Sequence, residues 1–375
     1  MRKLLVEDQI AAELRQRIAN GAYAPGASMP TERDFAREFA TSRTTISKAF
    51  RRLRTMGIVD QAPGRGTRVI PVRERSSVGA VGVIVAGGMP EQIGPARMVQ
   101  GMEESLARRG QHFQLALDLK DPSHVTVDMI TERYAGALFV QGLGFEPLLP
   151  ALEERRYPYV VANLEKRIEA TCTWVDHRKT TRTAVGVLTA MGHRRIVLLT
   201  RPPDMFFYGR ALEGFKDGLA DADLPFEESM VILSPPADAL GAYLHMRGYL
   251  ESHPAPTGVV AGRDYLAQGA AKALEERGLT VGRDVSLIGF DDVSWPQSAG
   301  FLTTFAEPSA EMGAAAAEML MERLISGWKP VEKREIGASL ILRSSVAPCL
   351  DTNGQSRRRH LKLVAHAGSF EETPR

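Results

Sequence analysis

Apolar residues recur at helical spacing over the first 70 positions and then gather, from Val78 onward, into short unbroken runs. In TSRTTISKAFRRLRTMG, residues 41–57, Ile46, Ala49, Phe50, Leu53 and Met56 follow an i, i+3, i+4, i+7 rhythm that predicts one buried helix face. Thr44, Lys48, Arg51 and Thr55 fall on the opposite face; Thr41 or Ser42 can cap the start, and Gly57 suits a left-handed end. Ahead of it, residues 4–20 place Leu5, Ile10, Leu14 and Ile18 close to one face before Asn20-Gly21 stops the helix. PTERDFAREFA opens with Pro30 and Thr31, sets Asp34 three residues after Thr31 in a capping-box-like start, and turns Phe35, Ala36 and Phe39 inward. Behind the third helix, two β-prone runs at 58–61 and 67–70 flank the turn Pro63-Gly64-Arg65-Gly66.

Three helices followed by a two-stranded wing predict a winged helix-turn-helix domain over residues 1–70, whose third helix has the length and charge to enter a DNA major groove. PVRERSS, residues 71–77, reads as a linker. From 78 to 350, runs such as VGAVGVIVA, GALFVQG, HRRIVLLT, PTGVVAG and VSLIGFDD alternate with helical segments around 96–110, 209–220, 237–252, 264–277 and 309–327. Strands without polar alternation, each followed by a helix, predict an α/β body of parallel sheets covered on both faces, long enough for two lobes. Ligands of such sheets bind beyond the strand C-terminal ends, so a cleft between lobes is the expected site. Residues 351–375 break the pattern and predict a flexible, locally basic tail.

Charge sharpens this division. The net charge of the 375 residues is only +2, yet residues 1–75 hold 15 of the 47 Lys+Arg and 8 of the 45 Asp+Glu, a local +7. The remainder has 32 basic against 37 acidic residues. A basic head on an acidic body predicts a polyanionic partner for the head. No apolar run is long enough to span a bilayer, and charged residues interrupt residues 1–20, so neither membrane nor secretion is expected. Cys172 and Cys349 are the only cysteines and lie in no metal-ligand spacing, which points to a reducing, cytoplasmic setting with no disulfide framework and no metal. The chain lacks a P-loop, a complete dinucleotide fingerprint and a G-x-S-x-G elbow, so no cofactor and no catalytic residue is assigned. His193 is expected to be structural.

MPTERDFAREFATSRTTISKAFRRLRTMGIVDQAPGRGTRV resembles the DNA-binding domain of the GntR family of bacterial transcription regulators, across essentially all of residues 4–70. The resemblance implies base and phosphate contacts from Arg33 in the P-T-E-R turn and from Arg43, Thr44 and Thr45 at the start of the recognition helix. It also implies a minor-groove approach by Gly64 at the wing tip, with Arg65 beside it. Ser47 stands where the family often carries arginine, which leaves Lys48 to reach a phosphate. Arg51, Arg52 and Arg54, further along, either touch phosphate or are solvated or bridged to acidic neighbours.

DHRKTTRTAVGVLTAMGHRRIVLLT, GRALEGF, DYLAQGAAKALEERGLTVGRDVSLIGFDD, LTTF, MGAAAAEML and SLILRSS together resemble the effector domain of LacI-family regulators, which is similar to periplasmic sugar-binding proteins. The likeness is strong from 174 to 346; from 78 to 173 only the strand–helix rhythm agrees. It implies a two-lobed periplasmic-binding-protein-like fold over 78–350 and a cleft lined by Asp176, Asp264 and Asp291. Two positions depart from the family. Arg263 replaces the amide of its N-D pair, and Ala211 replaces its usual arginine, with Arg210 one position earlier. Arg263 either attracts an anionic ligand or neutralises Asp264 or Asp291. Trp174, Phe206, Phe207, Tyr208 and Trp295 either stack on a ring or form core and wall.

Joining a GntR-type head to a LacI-type sensor, as arabinose-responsive repressors do, implies a ligand-responsive transcription regulator, more commonly a repressor. Its expected partners are double-stranded operator DNA, a second copy of itself in a homodimer, and a sugar, sugar acid or sugar phosphate. Two rivals stay open: a body that recognises a partner protein, and an α/β enzyme tethered to DNA.

Overall fold

Capping fixes the helix boundaries in the N-terminal domain. The computed structural model describes residues 6–19, 22–24, 26–62, 66–70, 80–86, 93–111, 113–119, 125–141, 144–164, 169–202, 206–235, 238–293 and 300–349. Helices α1 (Val6–Ala19), α2 (Glu32–Glu38) and α3 (Arg43–Thr55) precede an antiparallel pair, β1 (Val59–Ala62) and β2 (Gly66–Val69). Thr31 and Asp34 form a reciprocal capping box at α2. Ser42, not Thr41, caps α3 by accepting from the Thr45 amide at 3.1 Å, and Gly57 leaves the helix at φ +63°. Ile10, Leu14, Phe35, Ile46, Phe50 and Leu53 share the buried core, where Phe35 meets Phe50 edge-on at 5.6 Å. The wing-turn residues Gly64 and Arg65, the linker 71–77 and the tail 351–375 lie outside the described residues.

The rest of the chain folds into two discontinuous units: the first runs to Trp174 and resumes over Ser309–Ile336, and the second takes Val175–Pro308 and the chain from Gly337. In the first, β3 (Val81–Ala86), α4 (Ile93–Ala107), β4 (Phe113–Leu119), α5 (Val127–Thr131), β5 (Gly136–Val140), α6 (Leu149–Glu154), β6 (Tyr159–Ala162) and β7 (Cys172–Trp174) follow one another. The sheet is parallel, in the order β4-β3-β5-β6-β7, and β13 (Lys333–Glu335) adds to β7 at its edge. Helix α11 (Ser309–Ser326) packs on α4 at close range: Gly101 lies against the Ala310 carbonyl and Gly313 against that of Met98, leaving no room for a Cβ at either position.

The second unit contains α7 (His177–Ala190), β8 (Ile196–Thr200), α8 (Phe206–Ala220), β9 (Val231–Leu233), α9 (Ala239–Ser252), β10 (Gly258–Ala261), α10 (Asp264–Glu276), β11 (Ser286–Asp291), β12 (Thr303–Ala306) and β14 (Ser339–Ile341). Its sheet runs β9-β8-β10-β11-β12-β14, parallel except for β14. Buried runs such as Ile196–Thr200 and Gly258–Ala261 show why the strands lack polar alternation. Past β14, the Ser345 hydroxyl accepts from the Thr303 amide at 2.7 Å and donates to the Leu287 carbonyl at 2.6 Å, fastening the returning chain to β11 and β12.

Gly101→Val or Gly313→Val would push branched carbons into the facing backbone, and each is expected to lower stability by about 1–3 kcal/mol. Urea unfolding checks this; an unchanged midpoint would mean that close approach is not what seats α11 on α4.

Candidate functional site

In the head, the two ends of α3 have different surroundings. Arg43 and Thr44 are exposed on its first turn, and Arg33 is exposed on the first turn of α2. Thr45 is half-buried, its hydroxyl 2.8 Å from that of the capping Ser42. These groups surround a helix N-terminus whose polarised amides favour phosphate. Lys48, a turn later, stands 3.5 Å from the Glu7 carboxylate, an exposed pair weak enough for a phosphate to displace. Arg51 and Arg54 stay exposed. Arg52 turns inward instead and pairs with the buried Asp8 of α1, so it backs the domain and does not face outward.

The five expected effector residues all fall in the second unit, at the C-terminal end of its sheet or on helices beside it. Asp176 caps α7, Arg210 lies on α8, Arg263 and Asp264 open α10 just past β10, and Asp291 ends β11. The strand order reverses between β8 and β10, the switch point where open α/β sheets hold ligands.

Arg263 is bracketed by two carboxylates, Asp291 and Glu307, the latter at 3.0 Å. Its side chain is only 11% exposed, and its guanidinium also lies 5.4 Å over the Phe290 ring. Of the two carboxylates expected beside it, Arg263 pairs with Asp291 and not with Asp264, and Glu307 is its second partner. Asp264 turns into the sheet, accepts from the Thr304 hydroxyl at 2.7 Å and the Val293 amide at 2.8 Å, and fills the space that Gly289 leaves. Arg210 donates to Asp176 at 2.9 Å and to Glu213 at 2.8 Å, while its buried Nε has no partner. Arg343 donates to Asp292 at 2.7 Å.

Among the described residues this face therefore sets five carboxylates (Asp176, Asp264, Asp291, Asp292, Glu307) against Arg210, Arg263 and Arg343, each already paired, and Arg201, which lies 5.4 Å over the Tyr208 ring. Burial pushes Asp291 up to about 7: Arg263 opposes the shift, but Glu307 shares that one cation and adds to it. Burial also raises Asp264, against the Thr304 hydrogen bond. His177, buried and 4.6 Å from the Phe290 ring, is held well below the usual histidine range by burial and then by Arg263 and Arg210. The backbone is strained where the carboxylates gather, at φ +127° for Asp291 and +59° for Asp292, as is common at ligand sites. Carboxylates held by guanidiniums and hydroxyls, with an unpartnered Nε among them, suit the grip of a polyhydroxylated molecule better than proton transfer.

Sequence reasoning missed Glu307. Its only signal is an acid directly before Pro308 at the end of an apolar run, the position that Asp291 holds one strand away. Of the aromatic candidates, Tyr208 is buried and Trp174 half-buried at the end of β7; Phe206 and Phe207 lie on α8, and Trp295 is outside the described residues. His193 bonds the Ala347 carbonyl at 3.0 Å, fixing the chain after β14. Among the described residues no group of three His, Cys, Asp or Glu side chains is placed to hold a metal, and no helix is long and apolar enough to cross a membrane.

Comparison with known proteins supplies the context. Residues 6–69 match the family described as bacterial regulatory proteins, gntR family, and residues 185–346 match a periplasmic binding protein-like domain. The arabinose metabolism transcriptional repressor of Geobacillus stearothermophilus is 27% identical over 330 residues, 84% of this chain and 90% of that protein. An uncharacterized HTH-type transcriptional regulator of Streptomyces limosus, from the aml 5′ region, is 33% identical over 302 residues, 73% of this chain and 80% of its own. In fold, the chain is similar to a LacI-family regulator from Enterococcus faecium solved with bound ribose, at a TM-score of 0.57 and 24% identity over 72% of this chain and 99% of that one.

Because Asp291 binds its proton more tightly folded than unfolded, its contribution to stability is complete below about pH 4 and is lost as pH rises toward about 7. Asp291→Asn should flatten the fall in stability across that window. Urea midpoints of both proteins from pH 4.5 to 7.5 check this; parallel curves would mean that Asp291 is ionised throughout.

Proposed function

The chain belongs to the helix-turn-helix transcription regulators that join a GntR-type head to a LacI-type sensor body, and we propose that it is a repressor whose operator affinity is set by a neutral polyhydroxylated effector. The paired state of Arg263 carries the choice of effector. Arg210, Arg263 and Arg343 on this face of the second unit each already hold a carboxylate, Arg201 just past β8 lies over the Tyr208 ring, and the five carboxylates outnumber these four arginines. A sugar acid or sugar phosphate would add negative charge to a face where carboxylates already outnumber guanidiniums, so the anionic option recedes. A neutral sugar offers hydroxyls that donate to the carboxylates and accept from Arg210 Nε.

In this reading residues 1–70 form the DNA-binding domain, and the body over 78–350 binds the effector and forms the homodimer. Two copies of the head then face two-fold-related half-sites. Arg33, Arg43 and Thr44 address the operator, Thr45 and Lys48 contact phosphate, and Gly64 and Arg65 approach the minor groove. Effector binding biases a two-state equilibrium of the dimer and with it the operator affinity. A regulator of this kind acts in the cytoplasm.

Arg43→Ala should lower specific operator affinity by about 1–3 kcal/mol and relax sequence preference, as a gel-shift titration at fixed salt would read. Unchanged binding would remove Arg43 from the reading end. For the effector, neutral sugars should raise the melting temperature by an increment that grows with the logarithm of ligand concentration above Kd, while sugar acids and sugar phosphates should not. Stabilisation by the anionic compounds alone would overturn the neutral-effector reading.

A further inference from the structure

We propose that the junction between the head and the first lobe is a binding site for a single small inorganic anion of the halide type, bridging α1 and α5. The site is a cavity of about 20 Å³ lined by Asp8, Arg15, Arg52, Thr131, Arg155 and Arg156, among others. That volume admits one water-sized particle and excludes phosphate, sulfate or a sugar.

Its charge is unbalanced. Four arginines surround one carboxylate, Asp8, which is engaged by Arg52 and stands 3.6 Å from Arg155 Nε. Arg155 finds a second carboxylate in Asp128 at 2.6 Å. Arg15 finds none. It is 4% exposed, donates through Nη2 to the Arg156 carbonyl at 2.8 Å, and its buried Nη1 has no partner. Across the cavity, the Thr131 hydroxyl at the end of α5 is 5% exposed and likewise has no partner. Burial, with Arg323 and Arg156 nearby, pulls Arg15 down to about 10, the mark of a cation lacking a counter-charge. The Arg156 backbone is held at φ +51° while its guanidinium lies 5.2 Å over the Trp328 ring, so the carbonyl facing Arg15 is fixed by its own surroundings.

A buried guanidinium without a counter-charge is costly, and a hydroxyl cannot neutralise it. A halide completes both groups at once: it accepts from Arg15 Nη1 on the head and from Thr131 Oγ1 on the lobe, and it supplies the missing negative charge. Water satisfies the hydrogen bonds but leaves the charge. Occupancy thus ties α1 to the first lobe, beside the Arg52 that α3 contributes.

The full chain in sodium chloride should melt higher than in sodium methanesulfonate at equal ionic strength, by an increment that grows with the logarithm of chloride concentration once chloride exceeds its Kd. Arg15→Gln should lose the chloride dependence, and Thr131→Val, nearly isosteric, should shift the onset of the rise to several-fold higher chloride. In crystals soaked with sodium bromide, an anomalous peak should lie between Arg15 Nη1 and Thr131 Oγ1. Three results overturn the proposal: no anomalous peak, a bromide peak without chloride-specific stabilisation in solution, or equal chloride responses in wild type and both variants. If Arg15→Gln does not fold, Thr131→Val and the bromide crystal decide.

Discussion

One guanidinium held between two half-buried carboxylates governs the carboxylate-rich face of the second unit. Arg263 stands directly before α10, where the helix dipole disfavours a cation. Asp291 and Glu307 hold it there from the ends of adjacent strands, with Asp291 opposite Ala306 in the β11–β12 register. The arrangement fixes several properties together. It cancels the cation that would otherwise recruit anions, and it ties two strand-end loops to a third. Because two carboxylates share one cation, a proton also becomes easy to hold. The strained backbone at Asp291 and Asp292 is tolerated because Arg263 and Arg343 anchor both side chains.

The recognition helix shows a comparable division of charge. A row of basic residues along α3 looks uniform on a helical wheel, yet packing separates it into groups with different duties. The first turn is left bare around a capped N-terminus. Lys48 is held loosely by Glu7, and Arg52 is drawn onto Asp8. Placing a basic residue near the C-terminal end also suits the helix dipole, so Arg52 supports the helix electrostatically as well as by contact.

How much of this was legible in the sequence depended on which physical effect carried the signal. Periodicity placed α1 and α3 because each turns an apolar face inward, α9, α10 and α11 were placed by the alternation of helical segments with strand-like runs, and the caps Thr31, Ser42 and Gly57 were readable because capping is local chemistry. Helices α5 and α6 span only 5 and 6 residues, too few to show a period. Edge strands β13 and β14 are set by their partners, not by their own composition. At the ligand face the identities of Arg263 and Asp291 were legible as departures from, and matches to, a pattern, while the pairing of Arg263 with Glu307 depends on sheet register between residues 44 positions apart. Asp8 and Arg15 look like ordinary solvated charges on an amphipathic helix. Only tertiary packing buries them.

The interleaving of the two units has a consequence for how the protein is made. The head needs nothing beyond residue 70 for its core and can fold as soon as it clears the ribosome. The first lobe must wait for α11 and for β13 at its edge, residues translated after nearly all of the second unit. The second unit in turn waits for Ser345 to fasten β11 to β12. A ribosome that stops near residue 300 therefore carries a finished DNA-binding domain on an unfinished body. The two lobes close within a few dozen codons of each other, so a control element gains its sensor only once Ser345 has been made.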